Sequence, residues 1–174
     1  MSTQPPAGAR PTVRAADETD RTALAGLLRS AGLPLDGLDE AWRTVVAVVP
    51  AGTAAAPVVV GGAALERHGC GSDTALLLRS VVVAPPWRGT GTGARLVRHL
   101  LDGAASTAAP QAPVALLTET AGDWFGRLGF RVVAREDLPT ALSASVQVAS
   151  ACPASAVAML RARDTGGAAT LPSP

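Results

Sequence analysis

The sequence predicts an α/β (α+β) domain, and three features of the 174-residue chain carry that expectation. Apolar, β-branched runs at Thr44–Val49, Val58–Glu66 and Thr74–Val83 are separated by turn-forming residues, which reads as an antiparallel meander. The last run stops at Pro85-Pro86, a turn carrying Gly89, Gly91 and Gly93 follows, and a helical pattern begins at Ala94. A second strand–helix–strand unit then spans Val114 to Ala134.

The elements follow in order. Thr12 to Ala16 is a first strand. Asp17 or Thr19 caps a helix through about Ala31, with Ala23, Leu24, Leu27 and Leu28 on one face and Gly32 past its end. Pro34 to Glu40 is a loop or short helix. Pro50–Pro57 links the first two strands of the meander, and Arg67–Asp73 turns the chain into the third. The helix from Ala94 runs to about Ala105, and the Pro/Ala linker Ala108–Pro113 leads to the Val114 strand. A short helix around Trp124 closes at Gly129, because a helix ending in the left-handed conformation favours glycine there. Leu138-Pro139-Thr140 opens a helix to about Ala151, and Ala154–Arg161 is the last strand. Residues 1–11 and 164–174 read as disordered tails, leaving one domain over 12–163.

Composition narrows the function. Hydrophobic residues make up 48% of the chain but aromatic residues only 3%, so the core must be built from Ala, Val and Leu. Lys, Ile, Asn and Tyr are absent, the pattern of a GC-rich coding sequence. The net charge is +1 and the arginines are spread along the chain, which argues against nucleic acid or acidic lipid as partner. Cys70 and Cys152 lack metal-ligand spacing, so no metal is expected and a reduced, cytoplasmic setting fits. No apolar run approaches a membrane span, and no signal-peptide core is visible. A homodimer is left open.

The glycine turn carries the chemistry. Glycines at alternate positions let backbone N–H groups converge, and the helix start adds unpaired N–H groups and the positive dipole end, which suits a phosphate or pyrophosphate. A Walker loop requires a lysine, which the chain lacks, and the G-x-G-x-G spacing departs from the G-x-G-x-x-G of a dinucleotide fingerprint. The pattern R-x-x-G-x-G (Arg88, Gly91, Gly93) after V-x-P (Val83, Pro85) resembles the acetyl-CoA pyrophosphate loop of the GNAT N-acetyltransferases. Trp124-Phe125 followed by Leu128-Gly129-Phe130 resembles their short helix and its closing turn.

The resemblance implies a mixed, mostly antiparallel central sheet flanked by helices, an acyltransferase activity, and acetyl-CoA as co-substrate. Backbone groups of Val81 and Val83 would pair with the pantetheine amides, and a backbone N–H near Val81 or Val82 would face the thioester carbonyl. Amides of Gly89, Thr90, Gly91, Thr92 and Gly93 would hold the pyrophosphate, with Arg88 adding charge. The position of the family's usual tyrosine acid holds Phe125, and the place of a frequent glutamate holds Arg79. Arg79 suits a substrate carboxylate or lies out in solvent. Glu66 and Glu119 are the candidate bases, Glu66 on the same sheet face as Arg79 by alternation, although a neutral amine needs no strong base. His68 falls in a polar turn and His99 on the loop helix, exposed or packed, so neither is expected to carry chemistry.

A narrower resemblance rests on Leu117-Thr118-x-Thr120, Leu77-Leu78-Arg79-Ser80 and the segment Ala149–Ala156. These look similar to amino-acid N-acetyltransferase domains and to the small N-acetyltransferases of arsenic-resistance gene sets. They imply a small, amino-acid-like amine as acceptor, an arsenical included, with Arg79, Ser80, Thr118 and Cys152 near it. Acetylation of a protein or peptide amine, and an acyl-CoA-binding module without catalysis, are the alternatives.

Overall fold

In the computed structural model, residues 10–51, 56–107, 111–151, 153 and 155–161 are described. The expected tails, apart from residues 10 and 11, and Cys152 lie outside them. Seven strands form one mixed sheet: β1 (Thr12–Ala15), β2 (Arg43–Val49), β3 (Val58–His68), β4 (Ala75–Val83), β5 (Val114–Thr118), β6 (Arg131–Val133) and β7 (Val157–Arg161). Their order is β1-β2-β3-β4-β5-β7-β6. The first four make the antiparallel meander, β4 and β5 are parallel, and β5, β7 and β6 pair antiparallel.

Three helices accompany the sheet: α1 (Glu18–Ser30), α2 (Thr92–Ala105) and α3 (Gly122–Gly126). Leu24 and Leu28 of α1 pack on one face with Val46 and Val82, whereas Leu96, Val97, Leu100 and Leu101 of α2 pack on the other with Val45, Leu65 and Leu78. Two adjacent glycines of β3 set how close the helices come. A Cβ on Gly62 would stand 2.5 Å from Leu24 Cδ1, and one on Gly61 would stand 3.3 Å from Leu96 Cδ1 and 2.8 Å from the Val82 carbonyl. Because successive strand residues face opposite sides, this pair brings both helix layers onto the middle of the sheet. The buried apolar set is dominated by Ala, Val and Leu, as the composition requires.

The structure departs from the sequence expectation at several boundaries. Thr92 rather than Ala94 opens α2, and Ala23 is exposed on α1. Pro34–Glu40 takes the loop form of the two expected there. The expected helix after Pro139 is broken into a 3-10 turn over Thr140–Ala144 and a π turn over Gln147–Ala151, with Ser145 extended between them. Ser, Thr and Val crowd this stretch, and their side chains favour turns and local hydrogen bonds over a continuous helix. Ser145 donates its hydroxyl to Glu66 and accepts from the Gln147 N–H, two bonds that fix the break. The last strand begins at Val157, not Ala154.

Asp17 caps α1 in a reciprocal capping box with Asp20, each backbone N–H donating 2.9 Å to the other's carboxylate. Arg14 on β1 donates to both carboxylate oxygens of Asp20, which pins the helix to the edge strand. Burial alone would raise the Asp20 carboxyl, but the bonds from Arg14 and the Asp17 N–H hold it below its ordinary value. A depressed carboxyl stabilises the fold above its unfolded pKa, about 3.9, and that contribution fades as pH falls through the lower folded value. Asp20→Ala should therefore cost about 1–2 kcal/mol near pH 7. In thermal melts taken from pH 7 to pH 2.5, the gap between wild type and variant should narrow below pH ~4; a gap independent of pH would contradict this account.

Candidate active site

The site is built where β4 parts from β5. Their parallel ladder comprises Leu76 with Val114 and Leu77 with Ala115, and it ends there while both strands continue. On its other side β4 stays paired with β3, but the register jumps from Ala64–Arg79 to Gly62–Val82. Ala63 thus faces two residues, Ser80 and Val81, and Ser80 takes a left-handed φ of 56°. This bulge sharpens the twist of β4 just where it leaves β5. The opening is a cavity of about 850 Å³, walled by Val81–Val83 on one side, Leu116–Thr118 on the other, and Trp124 and Phe125 from α3.

The glycine loop forms the mouth of this cavity. A 3-10 turn over Pro85–Trp87 buries the Trp87 side chain in the core, which anchors the loop's entrance. Gly89 and Gly91 both have left-handed backbones, φ 75° and 80°, and Gly91 is the N-cap of α2. A Cβ at either glycine would meet no protein atom within 4 Å, so the space beside the backbone is open. The first-turn N–H groups of α2 have no intrahelical acceptor and point out of the helix toward that space. Thr90 and Thr92 brace the loop through side chains. The Thr90 hydroxyl donates 2.7 Å to the Trp87 carbonyl and lies 2.8 Å from the Thr92 hydroxyl, and Thr92 is 1% exposed. Arg88 Nε donates 3.0 Å to the Val83 carbonyl, tying the loop to the end of β4. Gly93 closes the far side, where an added Cβ would press Trp124 at 3.1 Å.

Arg79 is not a solvated side chain. It is 5% exposed, and Nη1 donates 2.7 Å to Glu66 Oε1. Its Nε donates to Ser80 Oγ at 3.2 Å, and Nη2 makes a longer 3.5 Å contact with the Pro34 carbonyl. The other Glu66 oxygen lies 2.6 Å from the Ser145 hydroxyl and 2.7 Å from His68 Nε2. Burial would raise the Glu66 carboxyl, but the bonds from Ser145, His68 and Arg79 and the charge of Arg79 outweigh it and hold the group below its usual value. Three donors and a low pKa describe a fixed anion rather than a base. Gly37 covers the pair, an added Cβ there falling 2.7 Å from Arg79 Nη1. Arg79 and Ser80 also line a smaller cavity of about 80 Å³, with Leu33, Pro34 and Gln147.

The structure therefore brings together Val81–Val83, the loop, Thr118 and Phe125 around one cavity, which Arg79 and Ser80 also line. Thr118 Oγ1 accepts the Ala121 N–H at 3.1 Å, which fixes the start of α3. Phe125 is buried, edge-on to Trp124 and Phe130 at 4.7 and 5.8 Å between ring centres. Glu119 is not brought in. It is exposed past the end of β5, where it accepts from the Ser155 hydroxyl. His68, expected in a polar turn, is instead largely covered and bound to Glu66. Its place two residues after Glu66 on one strand was the available signal. Ser145 had none, since a continuous helix was expected there.

The sequence matches the family described as Acetyltransferase (GNAT) domain over residues 43–132, about half of the chain. No curated protein matches it in sequence. Among solved structures, it resembles N-acetylglutamate synthase from Neisseria gonorrhoeae complexed with coenzyme A and N-acetyl-glutamate, at TM-score 0.68 and 19% identity, covering 89% of this chain and 35% of that one. The chain thus spans about a third of that enzyme's length. Rv2747 from Mycobacterium tuberculosis, in complex with CoA and NLQ, is 26% identical at TM-score 0.62, covering 87% and 99% of the two chains. Naa50 from Arabidopsis thaliana, with the bisubstrate analogue CoA-Ac-MVNAL, shares the fold at TM-score 0.63 and 15% identity, covering 88% and 99%. The family match runs across the meander, the glycine loop and the split strands, and by it the chain belongs to the GNAT acetyltransferases, acyltransferases that use acetyl-CoA as co-substrate.

Proposed function

We propose that this acetyltransferase modifies the amine of a small, amino-acid-like acceptor, and that Arg79 holds the acceptor's carboxylate. The observation that carries this reading is the position of Arg79, which lines both the main cavity and the smaller one beyond it. A guanidinium has five N–H donors, and the Glu66, Ser80 and Pro34 contacts engage three of them. Glu66 fixes the fork in place, so a carboxylate entering from the cavity meets a preset, bidentate partner. The likeness to Rv2747 and to the N-acetylglutamate synthase supports an acceptor of this class. The narrower form, an amino-acid-like arsenical, rests on the sequence resemblance to arsenic-resistance acetyltransferases. The fold shared with Naa50 supports a peptide amine as the second reading. The cytoplasm is the compartment that fits two cysteines without disulfide or metal spacing.

The chemistry follows from the geometry. The acetyl-CoA pyrophosphate sits on the Gly89–Gly93 amides, and the pantetheine arm lies along Val81–Val83, taking the place that β5 has vacated. The neutral acceptor nitrogen attacks the thioester carbon, a C–N bond forms, and the carbonyl electron pair moves to oxygen. A backbone N–H at Val81 or Val82, beside the bulge, stabilises that oxyanion. Collapse restores the carbonyl and breaks the C–S bond. The nitrogen loses its proton to solvent, and the CoA thiolate leaves to be protonated by water, since the chain has no tyrosine.

The direct test is a turnover assay with acetyl-CoA, in which a thiol reagent reads free CoA. The panel holds amino acids, their decarboxylated amines, amino-acid-like arsenicals and short peptides. Preference for a carboxylated small amine over its decarboxylated partner is expected, and turnover of peptides alone would overturn the small-acceptor reading. Arg79→Lys keeps a charge beside Glu66 but loses the planar fork, so the acceptor KM should rise while the acetyl-CoA KM holds. The lost contact is worth roughly 1.5–3 kcal/mol, or about ten- to a hundredfold. Unchanged acceptor kinetics would leave Arg79 a purely structural residue. Arg79→Leu is the wrong probe, because stripping a buried carboxylate of its partner costs about 3–5 kcal/mol of stability.

Two further variants examine the cofactor side. Gly91→Val places a β-branched side chain in the open space beside the loop at a left-handed φ, and CoA affinity should fall by at least about tenfold while the sheet core stays folded. Full affinity in that variant would sink the loop assignment. Phe125→Tyr should remain folded and active, with kcat raised wherever protonation of the leaving thiolate limits the rate. Loss of all turnover in a folded, CoA-binding Phe125→Tyr protein would mean that no hydroxyl fits against the α3 wall.

A further inference from the structure

We propose that the Ser80 hydroxyl is a second oxyanion donor, which hydrogen-bonds the thioester carbonyl oxygen beside the backbone N–H of Val81 or Val82. The proposal rests on the reading that lays the acetyl-CoA thioester along Val81–Val83. It does not depend on which amine is the acceptor.

Three observations single out this residue. Ser80 sits in the β4 bulge with φ 56°, and every other described residue with a left-handed φ is a glycine. Glycine would take that conformation without strain, so a side chain is held there at a conformational cost. Ser80 Oγ also accepts the Arg79 Nε–H at 3.2 Å, while Glu66 fixes Nη1 of the same guanidinium. A hydroxyl has one proton and two lone pairs, so the Oγ that faces Nε directs its O–H elsewhere. Among the described residues that O–H donates to no acceptor. Finally, Ser80 and Val81 both line the main cavity, where β4 leaves β5. Of the other hydroxyls around it, Thr92 is bound to Thr90 and Thr118 to the Ala121 N–H, and Thr120 lies past the end of β5.

This arrangement suits an oxygen that gains charge. A hydrogen bond accepted from a cation polarises the hydroxyl, and each bond in such a chain strengthens the next. As the acceptor nitrogen bonds to the thioester carbon, the carbonyl electron pair moves to oxygen. The Ser80 O–H and the backbone N–H then hold the anion together, and the Ser80 proton stays on Ser80. When the tetrahedral species collapses, the pair returns, the C–S bond breaks and both hydrogen bonds weaken. Arg79 thus serves both partners of the reaction: its Nη atoms face the acceptor, and its Nε acts on the oxyanion through Ser80.

The test reads the carbonyl directly. Isotope-edited infrared spectra of carbonyl-labelled acetyl-CoA, bound to the full chain, report the hydrogen bonds that the C=O accepts, since each lowers its stretching frequency. In Ser80→Ala and Ser80→Gly the band should stand higher than in wild type, with acetyl-CoA affinity little changed. Ser80→Gly suits the left-handed backbone, so it stays folded even where Ser80→Ala does not. With the best acceptor of the panel, kcat should fall about a hundredfold in both while the acceptor KM holds. Thr120→Ala, which removes another hydroxyl of the cavity wall, should leave the band in place. An unmoved band in a folded Ser80 variant overturns the proposal, as does a band moved by Thr120→Ala instead. A raised acceptor KM with kcat intact also overturns it, because Ser80 would then bind the acceptor's carboxylate beside Arg79. Wild type that binds no acetyl-CoA would end this proposal and the placement of the co-substrate together, a result distinct from an unmoved band.

Discussion

The short parallel ladder between β4 and β5 is the constraint on which the rest of the site depends. Two residue pairs hold the halves of the sheet together, and beyond them each strand has one edge without its neighbour. An open edge deep in a sheet is costly unless something pairs with it. In the proposed function the pairing partner is a ligand arm with amide groups of its own. The bulge at Ser80 and Val81 turns β4 away from β5, while β3 on the other side keeps β4 in register at Gly62–Val82 and Gly61–Val83. The two glycines of β3 matter for the same reason. They let α1 and α2 clamp the meander from both faces, so that β4 is held by β3 and the helices where β5 no longer supports it.

The buried Glu66–Arg79 pair solves a second problem, the inner wall of the opening. Residues 33–37 and the broken segment 140–151 have little regular structure with which to hold themselves. Each is tied to the pair instead: Pro34 and Gly37 through Arg79, and Ser145 through Glu66, with Gln147 donating to the Asp36 carbonyl between them. A buried ion pair adds little net stability over an apolar pair of the same size, but breaking it is costly. What it supplies here is position. Two irregular segments from distant parts of the chain are registered against β3 and β4 by hydrogen bonds to one carboxylate and one guanidinium.

Much of this was legible in the sequence, and the remainder was not, for physical reasons. The meander, the glycine loop and α2 follow from periodicity and turn chemistry, which are local. Gly89 and Gly91 were readable as turn residues, since the left-handed backbone each adopts favours glycine. The face shared by Glu66 and Arg79 was also readable, by alternation, but their contact was not, since it depends on the hairpin register that sets Arg79 opposite Ala64, diagonal to Glu66. His68 was misjudged because a histidine near a turn usually reaches water, whereas here its ring lies 2.7 Å from the Glu66 carboxylate. The 140–151 segment was misread as a helix for a related reason. Its apolar spacing suits a helix, but the hydroxyl of Ser145 finds a better acceptor in Glu66 than a continued helix would offer.

The lack of a tyrosine looks less costly once the leaving group is considered. A thiol of the cysteine kind titrates near 8.5, far below an alcohol, so a thiolate can depart from the tetrahedral intermediate with little help from an acid. What the step does require is an acyl group held beside an oxyanion donor, with the nitrogen aligned, and that is a demand on rigidity. Phe125 serves that demand. Its ring is locked edge-on between Trp124 and Phe130, and Trp124 in turn abuts Gly93 of the loop helix. A single aromatic stack therefore connects the α3 wall of the cavity to the start of α2. In this chain the residue after Trp124 contributes a fixed surface, where a phenol would contribute a proton.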